Sequence, residues 1–421
     1  MLLVMKYSGF FAENLNLLFG AAQSSLRLPV RRFLLPLGIS FYTLSAIGYM
    51  ADVYWKKIKP ERNIAKLALF LSFFPIIMEG PICMYSDTAD ALTKGEDIRS
   101  ENLVRGYMRI GWGLIKKVVI ADRLYVVVQT LFDGYASYHG VMIVVAAVSY
   151  TVQLYMEFSG CMDIVIGSAE CFGVTLPENF AQPFVSKNAS EFWRRWHISL
   201  GRWFKTYIFY PVSMSKLTRK WNRFAKKHTS KYVKLMVASA IALFPVWVCN
   251  GLWHGASWSY LFYGMYYFVV IMIELMLEPA MKKLGEAWKI TEATTWWNVL
   301  RMLKTWVIIF TGELFFRADT LGIGMHMFAS LFRDFELHRL WDGTLLTLGL
   351  GRVEIGIILA SLLLVGVVNH FRERKIDVRG VILQKRLPVR WLVYLALIFV
   401  VLIFGAYGPG YQEVDLIYAG F

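Results

Sequence analysis

The chain has 421 residues, 57% of them hydrophobic and 18% charged, with 45 Lys+Arg against 30 Asp+Glu for a net charge of +15. So much apolar surface cannot be buried in one water-soluble globule, so lipid must cover much of it. Disordered, collagen-like and small disulfide-scaffold chains are excluded.

A helix of about 20 residues at 1.5 Å each crosses the ~30 Å hydrocarbon core. From the N-terminus, 1–19 is a weak span candidate and 33–54 a clear one. Segment 66–85 is apolar but contains FFPIIMEGPIC, where Pro75, Glu79, Gly80 and Pro81 would break a plain helix. Segment 104–121 is weak because it carries Arg105, Arg109, Lys116 and Lys117. Segment 141–158 is clear and 161–175 weak, with Gln153, Glu157, Asp163 and Glu170 across this region. Segments 235–253, 257–279, 298–316, 353–370 and 390–408 are clear, and 321–333 is weak. This predicts an all-α integral membrane protein with about nine to eleven transmembrane helices plus re-entrant or interfacial pieces, in one domain spanning 1–421. Charges and broken helices within spans point to a polar cavity, or to interfacial helices that only resemble spans.

Lys/Arg placement puts loops 55–66, 213–234 and 371–390 on the cytoplasmic side of a cell membrane. Arg27, Arg31 and Arg32 precede the helix leading into 55–66, so one end of that helix breaks the rule. Met1–Met5 do not read as a cleavable signal peptide. Cys83, Cys161, Cys171 and Cys249 form no CxxC pair, which argues against a metal site or a disulfide framework. No GxxxxGK[ST] or GxSxG occurs. The basic stretches are interleaved with spans, so nucleic acid is not an expected partner.

Of seven histidines, His139, His228, His326, His338 and His370 read as surface or interfacial side chains. His197 lies in EFWRRWHISLGRWFKTYIFYP. Numbered as one helix, Trp193, Trp196, His197, Leu200, Trp203, Phe204 and Tyr207 share a face, with Arg194, Arg195, Arg202 and Lys205 on the flanks. That is an interfacial amphipathic helix with an aromatic face and a basic rim. His254 lies in NGLWHGASWSYLFYG between two long apolar runs, with Gly251 and Gly255 spaced for close helix approach. A neutral imidazole there can take a proton from a hydroxyl as that hydroxyl attacks an acyl group. From Phe192 to Ile273 there are twelve Lys/Arg and no Asp or Glu. Such a tract suits an anionic headgroup or a phosphate-bearing ligand such as coenzyme A, although positive-inside topology accounts for much of it.

FWRRWHISLGRWF followed by GLWHGASW resembles the membrane-bound O-acyltransferase family, in its bacterial alginate O-acetyltransferase-like branch. GISFYTLSAIGYMADVY, FFPIIMEGPI, LYMEFSGCMDIVIGSAECFG, LPENFAQPF and the ending YGPGYQEVDLIYAGF match that branch's blocks in order. The resemblance implies a horseshoe of helices around a tunnel, a cytoplasmic acyl donor and an acceptor hydroxyl met at the outer side. It assigns catalysis to His254 and a second functional position to His197. Acetyl-CoA, or an acyl carrier, is the implied donor, with no cofactor held permanently. Arg194, Arg195 and Lys205 are candidate phosphate ligands, and Trp193, Trp196 and Trp258 candidate lining of a dry tunnel. An exported polysaccharide is the implied acceptor, with an extracytoplasmic acetyltransferase-like partner and membrane lipid around the protein. Rival readings are D-alanyl transfer from a carrier-protein thioester to teichoic acid and, in a different class, a non-enzymatic polymer transporter or scaffold. The chain departs from the family at Tyr267, where members often carry a further histidine, and at Glu157, Cys161 and Met162. Its YPVSMSK stretch lacks the usual Gly-Gly turn, and its N-terminus reads one or two helices short.

Overall fold

The computed structural model describes residues 2–31, 33, 35–95, 99–291, 294–408, 411 and 414. Arg32 and most of YGPGYQEVDLIYAGF lie outside the described residues. Among those described there is no strand, and only one isolated antiparallel bridge, Phe180 with Trp196.

The chain runs through α1 (Leu2–Ala21), α2 (Ile39–Tyr54), α3 (Ile64–Ser72), α4 (Phe74–Ile77), α5 (Tyr85–Lys94) and α6 (Ser100–Leu114). A π-helical stretch, Ile115–Ala121, joins α6 to α7 (Asp122–Asp133), and α8 (Val141–Cys171) follows. Next come α9 (Ala189–Arg195), α10 (Ile198–Phe204), α11 (Tyr210–Ser213), α12 (Lys216–His228), α13 (Lys231–His254) and α14 (Trp258–Ala287). The last are α15 (Thr295–Arg317), α16 (Leu321–Ser330), α17 (Arg352–Glu373), α18 (Val378–Leu383) and α19 (Leu387–Phe404). Asn63, Asn188, Ser215, Ser230, Ser257 and Thr320 each accept from a first-turn amide, which fixes where α3, α9, α12, α13, α14 and α16 begin.

Five of these helices, α8, α13, α14, α17 and α19, are long and apolar enough to cross a membrane. This is a multi-pass membrane protein. The expected spans 141–158 and 161–175 are one continuous helix, α8, of 31 residues. The expected span 66–85 is broken: α3 stops at Ser72, Pro75 opens the four-residue α4, and Gly80 takes φ 92° before an extended stretch leads to α5. Segment 321–333 forms only the ten-residue α16.

The charges of 104–121 face those of α8 because the two backbones approach closely. A Cβ on Gly113 would sit 2.5 Å from the Gly160 carbonyl oxygen, and one on Gly160 would sit 2.8 Å from that of Gly113. Gly106 and Gly167 face each other in the same way, at 2.5 and 2.7 Å. Along this seam Arg109 pairs with Asp163 at 2.9 Å and with Glu178 at 2.6 Å. Lys116 also pairs with Asp163, and Lys117 pairs with Glu157 at 3.2 Å and Asp122 at 2.7 Å. Buried charges persist only when paired, and here each cation has its acid on the partner helix or one turn away.

Gly113→Leu should therefore destabilise the folded protein in detergent by about 1–3 kcal/mol or more, as overpacking does. Gly111→Leu should be tolerated, because its Cβ meets only the Leu397 side chain at 3.6 Å. Thermal unfolding of both variants checks this.

Candidate active site

The segment expected to be one amphipathic helix from Trp193 to Tyr207 is instead two short helices and a π-helical turn. The break falls at Trp196–His197, where His197 takes the left-handed φ of 48°. Two of the peptide groups beside it are satisfied from outside the helices. Ala181 N donates to Arg195 O at 2.9 Å, and Ile198 N to Asn179 O at 3.0 Å. The sidedness expected from the sequence survives the break. Trp196, Leu200, Trp203 and Phe204 are buried, while Arg194, Arg202 and Lys205 are exposed.

Asn179 is the organiser of this break. Its Oδ1 accepts from Ser199 N at 3.0 Å and from Ser199 Oγ at 2.9 Å. A backbone N–H can only donate, so this atom is the amide oxygen. His197 Nδ1, 3.2 Å from the same oxygen, must then carry its proton. That makes Nε2 the basic nitrogen of His197. Ser199 Oγ in turn accepts from Ile82 N at 3.1 Å, tying the FFPIIMEGPIC segment to the same point.

His254 ends α13 and is buried, 4% exposed. Gly251, in the last turn of α13, lies against the Tyr260 backbone at the start of α14, and Gly264 of α14 against the Trp247 carbonyl. These glycines let α13 and α14 close into a hairpin around His254. The imidazole is enclosed by rings: Phe316 at 4.9 Å, Tyr263 at 5.9 Å and Tyr260 at 6.3 Å between centroids. Trp253 stands 4.9 Å from His254 and 5.4 Å from His197, so one indole touches both histidines. The structure thus brings together two histidines that lie 57 positions apart.

The other predicted residues separate into groups. Trp193 packs on Tyr267 at 4.9 Å and Trp247 at 5.2 Å, beside the His254 rings. Trp196 is buried, stacked on Phe192 at 5.4 Å. Trp258 stands apart from this wall. It is 55% exposed and donates from Nε1 to Asn14 Oδ1 at 3.0 Å. Arg195 is engaged within the protein, with two bonds to Glu373 at 2.8 and 3.1 Å, a bond to Glu191 at 3.2 Å and one to the Ala181 carbonyl at 3.1 Å. Arg194 and Lys205 are exposed cations. A mainly apolar cavity of about 420 Å³, lined by Phe184, Trp306, Val365 and Asn369 among others, reaches Glu373 at the same place.

Two features escaped the sequence reading. Glu313, within an apolar stretch of α15, is fully buried and accepts from Tyr263 Oη at 2.9 Å. Its signal is an acid inside a span, like Glu157 and Asp163 in the spans 141–158 and 161–175. Asn179 sat unremarked in LPENFAQPF, and no local pattern links it to a histidine 18 positions on. Among the described residues, no group of three His, Cys, Asp or Glu side chains is placed to hold a metal ion.

Fold and site together define a polytopic α-helical membrane protein with a buried, aromatic-walled histidine pair. The sequence profile of the MBOAT, membrane-bound O-acyltransferase, family matches residues 60–225. The chain is 32% identical over 377 residues to a probable alginate O-acetylase of Pseudomonas syringae pv. tomato, covering 88% of this chain and 66% of that protein. It is 30% identical to a peptidoglycan O-acetyltransferase of Helicobacter pylori, covering 75% of this chain and 59% of that one. It is 28% identical to a teichoic acid D-alanyltransferase of Bacillus subtilis, covering 66% and 68%. The chain belongs to the membrane-bound O-acyltransferase family, in its alginate O-acetylase-like branch. It spans between 57% and 66% of the length of the alginate O-acetylases from Pseudomonas syringae, Azotobacter vinelandii and Pseudomonas aeruginosa.

Asn179→Leu should cost about 1–3 kcal/mol, because it strands the Ser199 N–H and the His197 Nδ1–H in a buried place. Asn179→Asp, which keeps an acceptor, should cost less. Unfolding in detergent measures the difference.

Proposed function

We propose that the protein is an O-acyltransferase that moves an acetyl group from cytoplasmic acetyl-CoA across the membrane to hydroxyls of an exported cell-surface polysaccharide. Transfer is direct or passes through an extracytoplasmic acetyltransferase-like partner. The observation that carries this reading is the convergence of His254 and His197 on the one indole of Trp253. The names of the more similar relatives, alginate O-acetylases, favour acetyl and a polysaccharide.

His254 is the general base. It takes the proton of the attacking hydroxyl as the new C–O bond forms, and that proton passes to the thiolate released when the thioester C–S bond breaks. His197, with its proton on Nδ1 and turned to Asn179, offers Nε2 as an acceptor. It therefore positions a donor group of the substrate. Polarising the acyl carbonyl would need a second N–H. Trp193, Trp196, Phe316 and Tyr263 keep water from the reacting atoms. The tunnel reading places the donor at the side of loops 55–66, 213–234 and 371–390, taken as cytoplasmic. Exposed Arg194 and Lys205 are the cations left to meet its phosphates, since Arg195 already holds Glu373.

His254→Ala should insert and unfold like the parent yet lose acetyl transfer from labelled acetyl-CoA by about 10²–10⁴-fold or more. Near-full transfer would overturn the assignment. Analysis of the surface polymers of cells lacking the protein checks the acyl group: lost acetyl ester supports the proposal, and lost D-alanine replaces the donor. Absence of any acyl turnover by the intact protein would favour a transporter or scaffold.

A further inference from the structure

The last four carbonyls of a helix have no partner within it, so a helix that ends inside a membrane protein must find donors elsewhere. α13 ends at His254. Two of its terminal carbonyls are taken by side chains from the far end of the sequence. Lys6 Nζ donates to Trp253 O at 2.6 Å, and Tyr7 Oη donates at 2.6 Å to Leu252 O, which also accepts from Gly255 N at 3.1 Å. The same ammonium donates to Ser40 Oγ of α2, a buried hydroxyl, at 3.2 Å.

The contact continues past the turn. Trp258, the first residue of α14, donates from Nε1 to Asn14 Oδ1 at 3.0 Å, and its ring lies 5.8 Å from that of Phe10. Residues 6, 7, 10 and 14 fall within an arc of about 100° on a 3.6-residue helix, so one face of α1 makes all four contacts. That face therefore grips the chain on both sides of the turn 254–257. It holds the two carbonyls just before His254 and the indole just after it. A cation at a helix C-terminus is also well placed against the helix dipole.

We propose that α1 clamps the His254 turn, and that Lys6 and Tyr7 are positioning residues for His254. The inference rests on the reading of His254 as the base and adds to it where that base gets its orientation. A helix end free to fray would let the imidazole drift, and misplacement by about 1 Å costs about 10²-fold in rate. Neither residue touches the reacting atoms, so their effect falls on kcat and leaves donor affinity alone.

The test uses the full chain in lipid nanodiscs, with acetyl-CoA as the probe and thiol release as the readout. Lys6→Met is expected to lower kcat about tenfold or more with KM for acetyl-CoA changed less than about twofold. Lys6→Arg, which keeps the charge and the donors, is expected to recover most of the rate. Tyr7→Phe removes a single hydroxyl without altering the bulk, and is expected to lower kcat by about threefold or more. It decides the matter by itself if Lys6→Met does not insert. Wild-type kcat in Tyr7→Phe and in any inserted Lys6→Met, with His254→Ala inactive, would overturn the clamp and leave the function standing. Full turnover in His254→Ala would overturn the reading of His254 as the base and the clamp together.

Discussion

In lipid, every backbone N–H and C=O must find its partner inside the protein. That rule shapes this molecule at two chain breaks. Between α9 and α10 the helix stops, and the freed groups of Arg195 and Ile198 are taken by the 179–181 segment. At the end of α13 the Trp253 carbonyl is taken by Lys6, and the Leu252 carbonyl is shared by Gly255 N and Tyr7 Oη. Each break carries a histidine, and the two breaks meet at Trp253. A continuous helix would have pointed each imidazole wherever its periodicity dictated. A break satisfied by distant partners can aim it.

The same logic organises the charge. The acid-free tract from Phe192 to Ile273 is not left unneutralised in space. Arg195 reaches Glu373 and Arg202 reaches Asp87, both outside that tract. What remains of that tract is exposed Arg194 and Lys205, the basic α12 and Lys231 at the start of α13, cations available to an anionic ligand or lipid surface. Deeper in the protein, the glycine seam between α6 and α8 allows Arg109, Lys116 and Lys117 to meet Asp163, Glu178 and Glu157. These charges therefore hold helices together, and Arg109, Lys116, Asp163 and Glu178 also line a small polar cavity between them.

Much of this was legible in the sequence. Long apolar runs marked α13, α14, α17 and α19, because length and composition alone decide whether a helix can cross lipid. The WHG turn drew notice because an ionisable side chain between two greasy runs is costly unless used. Three things could not be read locally. The Trp193–Tyr207 segment has an unbroken helical period, and only contact with Asn179 shows that His197 turns left-handed. Trp258 shares a motif with His254 but packs outward on Asn14, since α14 starts in a new direction after the turn. Lys6, 247 positions from its acceptor, read as a stray cation in a weak span.

The central claim is that His197 and His254, both packed on Trp253, act as one unit. A double-mutant cycle on acetyl transfer tests this most directly, with His197→Ala, His254→Ala and the double variant compared in the same membranes. Residues that act as a unit are non-additive, so the double variant should be no more than about threefold slower than the worse single one. Losses that multiply across the two sites would show two independent residues, and would contradict the single site described by the geometry.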